Sequence, residues 1–229
     1  HKPEKIKIAL ISYSKEKFNQ ETISGIEELL KYKHEKSVSW VDVEGVNDIE
    51  LIESIGKHFG HHRLILEDIL NTEKRPEISF FKDYIFIALK MISYNEKKNV
   101  IEIEHVSFII GPDYLISLQE GIEGDVFEPI RKIIKNENSL VRQYGSDFLA
   151  YSLIDVIIDN YFIVLEKISE KMEDLDDVLI NNPTPDTLQK IYALKREIIF
   201  LRKAIWPLRE ILSKFERTDS DIISPNTKM

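Results

Sequence analysis

Cysteine is absent from the chain, which excludes disulfides, thiolate catalysis and Cys-containing zinc sites and leaves packing as the source of stability. Long apolar runs are missing as well. A membrane helix needs roughly 18 to 20 consecutive apolar residues, whereas the richest run, Tyr84 to Ile92, is short and already contains Lys90. No segment is therefore expected to span a bilayer, and His1-Lys2-Pro3-Glu4-Lys5 lacks the apolar core of a signal peptide. The chain carries no Gly-rich phosphate loop, Gly-x-Ser-x-Gly elbow, dinucleotide fingerprint or His-Glu-x-x-His pair. Gly121-Ile122-Glu123-Gly124 is too short and too acidic to cradle a phosphate. The expectation is that the protein is not an enzyme. Positive charge is in deficit too, with 31 Lys plus Arg against 40 Asp plus Glu and a formal net charge of -9. That balance argues against nucleic acid as a partner and makes cations the natural ones.

What is present suffices for a real core, since 43% of the 229 residues are apolar. Lys5 to Ser12 has the composition of a strand, and Asn19-Gln20-Glu21 is expected to open a helix with Ile23, Ile26, Leu29 and Leu30 on one face. Val38 to Val43 is a second strand. Asn47 then caps a helix with Ile49, Ile52, Ile55 and Phe59 inward, stopped by Gly60. A short helix follows near Arg63 to Leu70 and is ended by Pro76. Tyr84 to Ser93, Ile101 to Ile110 and Tyr114 to Leu118 are dense in Ile, Phe and Val and form an antiparallel meander, turning at Asn95 to Asn99 and at Gly111-Pro112-Asp113. The sheet should be mixed. Asp125 with Glu128 makes a capping-box-like start for a helix through Lys135, and the compact portion ends near Arg142.

From Ser146 the pattern is helical to Asn181-Asn182-Pro183, and a second helix runs from Pro185-Asp186 to about Glu216. At about 1.5 Å per residue the first arm is on the order of 50 Å long and should project from the body. Leu188, Ile191, Leu194, Ile198, Leu201, Ile205, Leu208, Leu212 and Phe215 repeat at threes and fours like a coiled-coil seam, with a kink expected at Pro207. On the first arm Ile157, Tyr161, Val164, Leu165, Ile168, Met172, Leu175 and Leu179 share one face. Opposite them Asp155, Asp159, Glu166, Glu170, Glu173 and Asp177 fall within a sector of roughly 60°, with Asp174 and Asp176 nearby. A solvated helix face explains such a stripe without any ligand. Against that, Asp155/Asp159, Glu166/Glu170 and Glu173/Asp177 set like charges at i,i+4, where opposite charges would gain a few tenths of a kcal/mol per pair. Hydrated Mg²⁺ or Ca²⁺ would offset the repulsion without a closed protein cage.

His58, His61 and His62 precede Glu67 and Asp68, but two are adjacent and point apart and Gly60 breaks the helix before them, so surface or capping roles fit better than a catalytic metal. Trp40, Trp206, Phe80, Phe81, Tyr84 and Phe86 sit in apolar segments and are assigned to packing.

Several blocks together resemble the cytoplasmic domain of the CorA magnesium-channel family. They are Leu64-Ile65-Leu66-Glu67-Asp68-Ile69-Leu70-Asn71, Arg75-Pro76, the run from Tyr84 to Met91, and Val106 to Ile110. Leu118-Gln119-Glu120, Gly124-Asp125-Val126-Phe127, Tyr151 to Asp155 and Ile205-Trp206-Pro207-Leu208-Arg209-Glu210 follow in the family's order and spacing, so the resemblance covers roughly residues 38 to 217. It implies an α+β fold: an α/β/α sandwich with a mixed, largely antiparallel sheet over residues 1–142, then a long antiparallel acidic hairpin over 143–217. Residues 218–229 would lead, as a truncated linker, toward a stalk helix, two membrane helices and a Gly-Met-Asn pore motif.

The resemblance further implies a cytoplasmic Mg²⁺-sensing domain of a multi-pass cell-membrane channel, assembled as a homopentamer, with Mg²⁺ as both regulatory ligand and transported ion and Co²⁺ or Ca²⁺ as substitutes. By position Asp68 matches the family's inter-subunit metal-binding aspartate, and Glu67 and Asp155 match carboxylates of an adjacent second site. Their facing aspartate would come from the stalk of the next subunit, beyond Met229; with the stalk and membrane helices that would hold subunits together outside this chain and a charge of -9 per chain, the chain alone is expected to be monomeric or weakly associated. Two alternatives stay open: the same fold from a ZntB-like zinc transporter, and a soluble acidic module that binds a basic protein.

Overall fold

The computed structural model of the chain describes residues 6–31, 37–46, 48–122, 126–181 and 184–228. A seven-stranded sheet forms its middle layer, in the order β2-β1-β3-β7-β6-β5-β4. The strands are β1 (Lys7–Tyr13), β2 (Phe18–Ile23), β3 (Val38–Glu44), β4 (Glu77–Phe80), β5 (Ile85–Asn95), β6 (Val100–Ile110) and β7 (Tyr114–Gln119). Every neighbouring pair is antiparallel except β3 and β7, which run parallel with Ser39 opposite Tyr114 and Glu44 opposite Gln119. The sheet is thus mixed and largely antiparallel, as the meander pattern suggested.

Both faces of the sheet are covered. Successive side chains of a strand point to opposite sides, so Ile85, Ile87, Leu89 and Met91 of β5 enter one apolar cluster while Phe86 and Ala88 enter the other. The second cluster is closed by α1 (Ile26–Lys31), α2 (Ile49–Phe59) and α3 (Arg63–Leu70). The first is closed by α4 (Glu128–Lys135), a 3₁₀ turn at Leu140–Gln143, and the N-terminal part of α5 (Ser146–Asn181). With Trp40, Phe86, Phe108 and Phe127 fully enclosed, each such side chain contributes about 1.5–3 kcal/mol by leaving water.

Local chemistry sets the element ends. Asp48 caps α2 by accepting from the Leu51 N–H at 3.0 Å; the expected cap Asn47, like Asp125 ahead of α4, lies outside the described residues. Gly60 ends α2 in the left-handed region at φ 72°, a conformation in which a Cβ is costly. One expectation fails outright: Asn19-Gln20-Glu21 lie in β2, not in a helix. β2 is an edge strand whose Asn19 to Thr22 are exposed, so polar residues cost nothing there, and its pairing with β1 from Ile23↔Ile8 to Phe18↔Tyr13 decides the conformation. The helix begins later, at Ile26, with the Ser24 N–H donating to Glu28 Oε2 at 2.9 Å.

α5 starts on the sheet and leaves it. Leu149, Leu153, Ile157, Tyr161, Val164 and Ile168 are buried in the first cluster, whereas Met172, Val178, Leu179 and Ile180 are exposed. By length and composition α5 is apolar enough to cross a membrane, although 44% of its apolar window is buried within the fold and its Phe162 and Ile163 are exposed. Its antiparallel partner divides at Pro207 into α6 (Pro185–Ile205) and α7 (Leu208–Arg217). Leu194, Leu201, Leu208 and Phe215, seven residues apart, are buried along the seam, joined near the body by Ala204 and Ile211, while Leu188, Ile198 and Leu212 are exposed. Lys171 Nζ ties the arms to Glu197 Oε2 at 3.2 Å.

Trp206 departs from its assignment to packing: it is 71% exposed at the α6–α7 break, because the turn at Pro207 leaves the ring on the outer face with the Arg202 guanidinium 5.7 Å from its centroid. Phe80 is exposed as well, near the outer edge of the sheet. The polar segment after α7 packs rather than trailing. Asp147, itself buried, accepts from the Ser224 N–H at 2.8 Å and from Ser224 Oγ and Thr227 Oγ1, both at 2.7 Å, and Ile223 is buried beside it.

Candidate metal site

Glu67 and Asp68 lie on α3, whose Ile65, Leu66 and Ile69 are buried against the sheet. That spacing turns the two carboxylates outward. His62 fixes the start of the helix, its Nδ1 accepting from the Leu64 N–H at 3.2 Å, and the Asn71 N–H closes the end on Glu67 O. Glu67 is largely exposed, with the Arg63 guanidinium at 3.7 Å, a contact of little energetic weight.

Asp68 is more sheltered, its side chain 25% exposed, and it is occupied: Lys74 Nζ stands 2.5 Å from Asp68 Oδ1 and 3.0 Å from Glu77 Oε1. The turn after α3 delivers the lysine, since the Lys74 N–H bonds to Asn71 O at 2.9 Å and the Glu73 N–H to Asn71 Oδ1 at 3.2 Å. Burial works against the Lys74 ammonium, and the Asp68 and Glu77 carboxylates overcome it and raise its pKa. Sequence reasoning passed over Lys74; the clue available was a lysine following Asn71-Thr72-Glu73, a turn composition that folds the chain back on α3.

Asp155 lies elsewhere. It is exposed on α5, which covers the opposite side of the sheet from α3. Burial first, and then the Asp159 carboxylate one turn on, raise its pKa. Asp68 and Glu67 therefore face out of one layer of the sandwich and Asp155 out of the other. Among the described residues no three His, Asp or Glu side chains converge on a point that could hold a metal ion. The remainder of the stripe, Asp159, Glu166, Glu170, Glu173 and Asp177, is exposed. One lysine is interleaved with it, Lys167 Nζ lying 3.0 Å from Glu170 Oε2.

The histidines do not form a metal centre. His62 caps α3, while His61 is buried, 3.2 Å from the Tyr114 hydroxyl and stacked on Phe59; burial lowers its pKa to about 4. Two further polar features escaped sequence reasoning. Within the sheet Asp42 accepts from Ser117 Oγ at 2.5 Å, from Gln119 Nε2 at 3.0 Å and from Arg131 Nη2, and Trp40 Nε1 donates to Ser117 Oγ at 2.8 Å. Glu104, also buried, accepts from the Gly121 N–H at 2.6 Å and the Ile122 N–H at 3.2 Å. Burial outweighs those bonds and raises its pKa to about 7.

A sheet covered by helices on both faces and followed by a long antiparallel hairpin is a fold shared with solved structures. The structure of the soluble domain of CorA from Methanocaldococcus jannaschii superposes with a TM-score of 0.76 at 18% identity, over 96% of this chain and 83% of that one. The ZntB cytoplasmic domain from Vibrio parahaemolyticus superposes at 0.71 and 17% identity, over 96% and 85%. In sequence, residues 35–229 match the family described as CorA-like Mg2+ transporter protein. A cobalt/magnesium transport protein CorA from Thermotoga maritima is 37% identical over 224 residues, covering 98% of this chain. The chain belongs to the CorA-like Mg²⁺ transporter family, which is defined by transport and not by catalysis. It spans 64% of the length of the Thermotoga protein.

Proposed function

We propose that the chain is the Mg²⁺-sensing, cytoplasmic part of a divalent-cation transporter that works as a homopentamer in the membrane. Asp68, and more weakly Glu67 and Asp155, share hydrated Mg²⁺ with carboxylates of a neighbouring subunit and so favour the closed state. The observation that carries this reading is the placement of the carboxylates: Asp68 and Glu67 face out of one layer and Asp155 out of the other. One chain does not bring them to a single ion, so a shared ion would need carboxylates from a neighbouring subunit. Their chemistry fits the ion, since hard carboxylate oxygens suit Mg²⁺, which keeps much of its own water and is held by one or two carboxylates.

When internal Mg²⁺ falls, the carboxylates lose their counter-ion, like charges separate the copies, and the population shifts toward the open state. The test is flux through the full-length transporter carrying Asp68→Ala with Glu67→Ala. It should remain conductive at internal Mg²⁺ levels that close the parent; unchanged Mg²⁺ inhibition would refute the assignment. The likeness to the ZntB domain keeps a second reading in view, the same sensing fold serving Zn²⁺ transport, and a comparison of Zn²⁺, Co²⁺ and Mg²⁺ fluxes separates the two.

A further inference from the structure

Where the turn after α3, the middle of β5 at Lys90, β6 at Ile103, Glu120 just after β7, and the last turns of α6 meet, the fold leaves a cavity of about 730 Å³, within the range of small-molecule sites. Its walls are cationic in an acidic chain. Lys74, Arg75, Lys90, Arg202 and Lys203 line it, against Glu73 and Glu120. Lys74 is neutralised by Asp68 and Glu77, and Arg75 acts, after Lys214, on the Glu210 carboxylate, helping to lower its pKa, but the Arg202 and Lys203 side chains are seen against aromatic rings rather than carboxylates. Lys90 is half-buried and donates only to a backbone carbonyl, that of Thr72; its burial lowers its pKa despite Glu120 and Glu73. Cations gathered on a concave surface repel one another and favour a polyanion.

The rim is aromatic as well as basic. Trp206 and Phe200 line the same cavity, both more than half exposed. The Arg202 guanidinium lies 5.7 Å from the Trp206 ring centroid and Lys203 Nζ 6.0 Å from that of Phe200. An exposed indole beside guanidinium and ammonium groups offers a flat π-face next to phosphate-binding donors. We propose that this cavity binds a nucleoside di- or triphosphate, with Arg75, Arg202 and Lys203 on the phosphates and Trp206 against the base.

Calorimetry on the 229-residue chain in Mg²⁺-free buffer, titrated with ATP, ADP, adenosine and inorganic tripolyphosphate, tests this. ATP and ADP should bind, adenosine should not, and tripolyphosphate should bind more weakly than ATP. Arg202→Gln and Lys203→Gln should each weaken ATP binding roughly tenfold, and Trp206→Ala should cost a similar factor. All three side chains are exposed, so the variants should fold, which circular dichroism verifies. Lys132→Gln, on exposed α4 surface and not among the residues lining the cavity, should bind like the parent, and the Mg²⁺-free buffer keeps the result independent of the Mg²⁺-sensing reading. The proposal is overturned if ATP does not bind at millimolar concentration, if the Arg202 and Lys203 variants bind like the parent, or if tripolyphosphate matches ATP and Trp206→Ala has no effect.

Discussion

Arg131→Met should be among the most damaging single substitutions in the sandwich. Arg131 is buried and its Nη2 pairs with Asp42 Oδ2, where Asp42 is only 2% exposed. Its guanidinium also lies 5.4 Å from the Trp40 ring centroid. Replacing it with a side chain of similar length keeps most of the packing but strands a carboxylate in the core with Ser117 and Gln119 as its remaining side-chain donors. Breaking a buried pair from one side costs about 3–5 kcal/mol, a large part of the roughly 5–15 kcal/mol that holds a domain together. The cost must depend on pH. Burial already raises the Asp42 pKa, opposed by Arg131 and the Ser117 bond, and removing Arg131 raises it further. A carboxyl whose folded pKa lies above its unfolded value is least costly when protonated, so the deficit should be full in mild alkali and shrink as the pH falls toward the ordinary carboxylate range. Urea denaturation across pH measures it, and Asp42→Asn in the Arg131→Met background should recover part of the loss. A deficit under about 1 kcal/mol in mild alkali, or one that does not change with pH, would refute the assignment of the cost to a stranded charge.

Glu104 gives a second pH signature. Its pKa is raised from 4.5 to about 7, so the stability it has as a neutral acid is lost as pH rises through about 7, by about 3 kcal/mol. Glu104→Gln should melt near the parent at about pH 5 and clearly above it at about pH 8. Taking the variant-minus-parent difference removes His61 and His105, whose pKa values are lowered to about 4 and whose contribution has the opposite sign, present above their unfolded pKa and lost as pH falls. Lys74→Gln should raise the affinity of Asp68 for Mg²⁺, because the ammonium 2.5 Å from Oδ1 must otherwise be displaced. Isothermal titration of the chain with Mg²⁺ checks it, and unchanged or weaker binding would remove Asp68 from the site or Lys74 from the competition.

Period and punctuation made much of the fold legible. β5, β6 and β7 carry dense Ile, Phe and Val between turn signals, and α2 runs from a capping aspartate to a left-handed glycine, so these elements fall within a few residues of where the sequence puts them. The hairpin and its break at Pro207 were legible for the same reason. β2 was not, because an edge strand needs no apolar face and its Asn-Gln-Glu composition mimics a helix start. Trp206 was misplaced because an apolar neighbourhood in sequence says nothing of which face a helix end turns outward. The Asp42 network and the basic cavity join residues far apart in the chain, Asp42 to Arg131 and the 72–76 turn to the end of α6. Such assemblies exist only once the sheet has formed. For the candidate site, Glu67 and Asp68 were singled out only by the family resemblance; that burial of Ile65, Leu66 and Ile69 turns them outward, and that a lysine covers one of them, shows only in the folded chain.

Lys74 alters what sensing by Asp68 requires. A carboxylate with an ammonium at 2.5 Å is already compensated, so a divalent ion gains there only the difference between its own attraction and that of the lysine. The pair is partly sheltered, its side chains 21% and 25% exposed, so displacing the lysine costs more than breaking a fully exposed pair would, and the lysine removes the reward for binding Mg²⁺ to Asp68 alone. The balance tips when a second carboxylate approaches from a neighbouring copy, because one lysine cannot compensate both and a hydrated divalent cation can. The net charge of -9 per chain acts in the same direction, since copies repel until cations gather between them. On the proposed reading Asp68 would respond to Mg²⁺ and to a neighbour together, and weakly to either by itself.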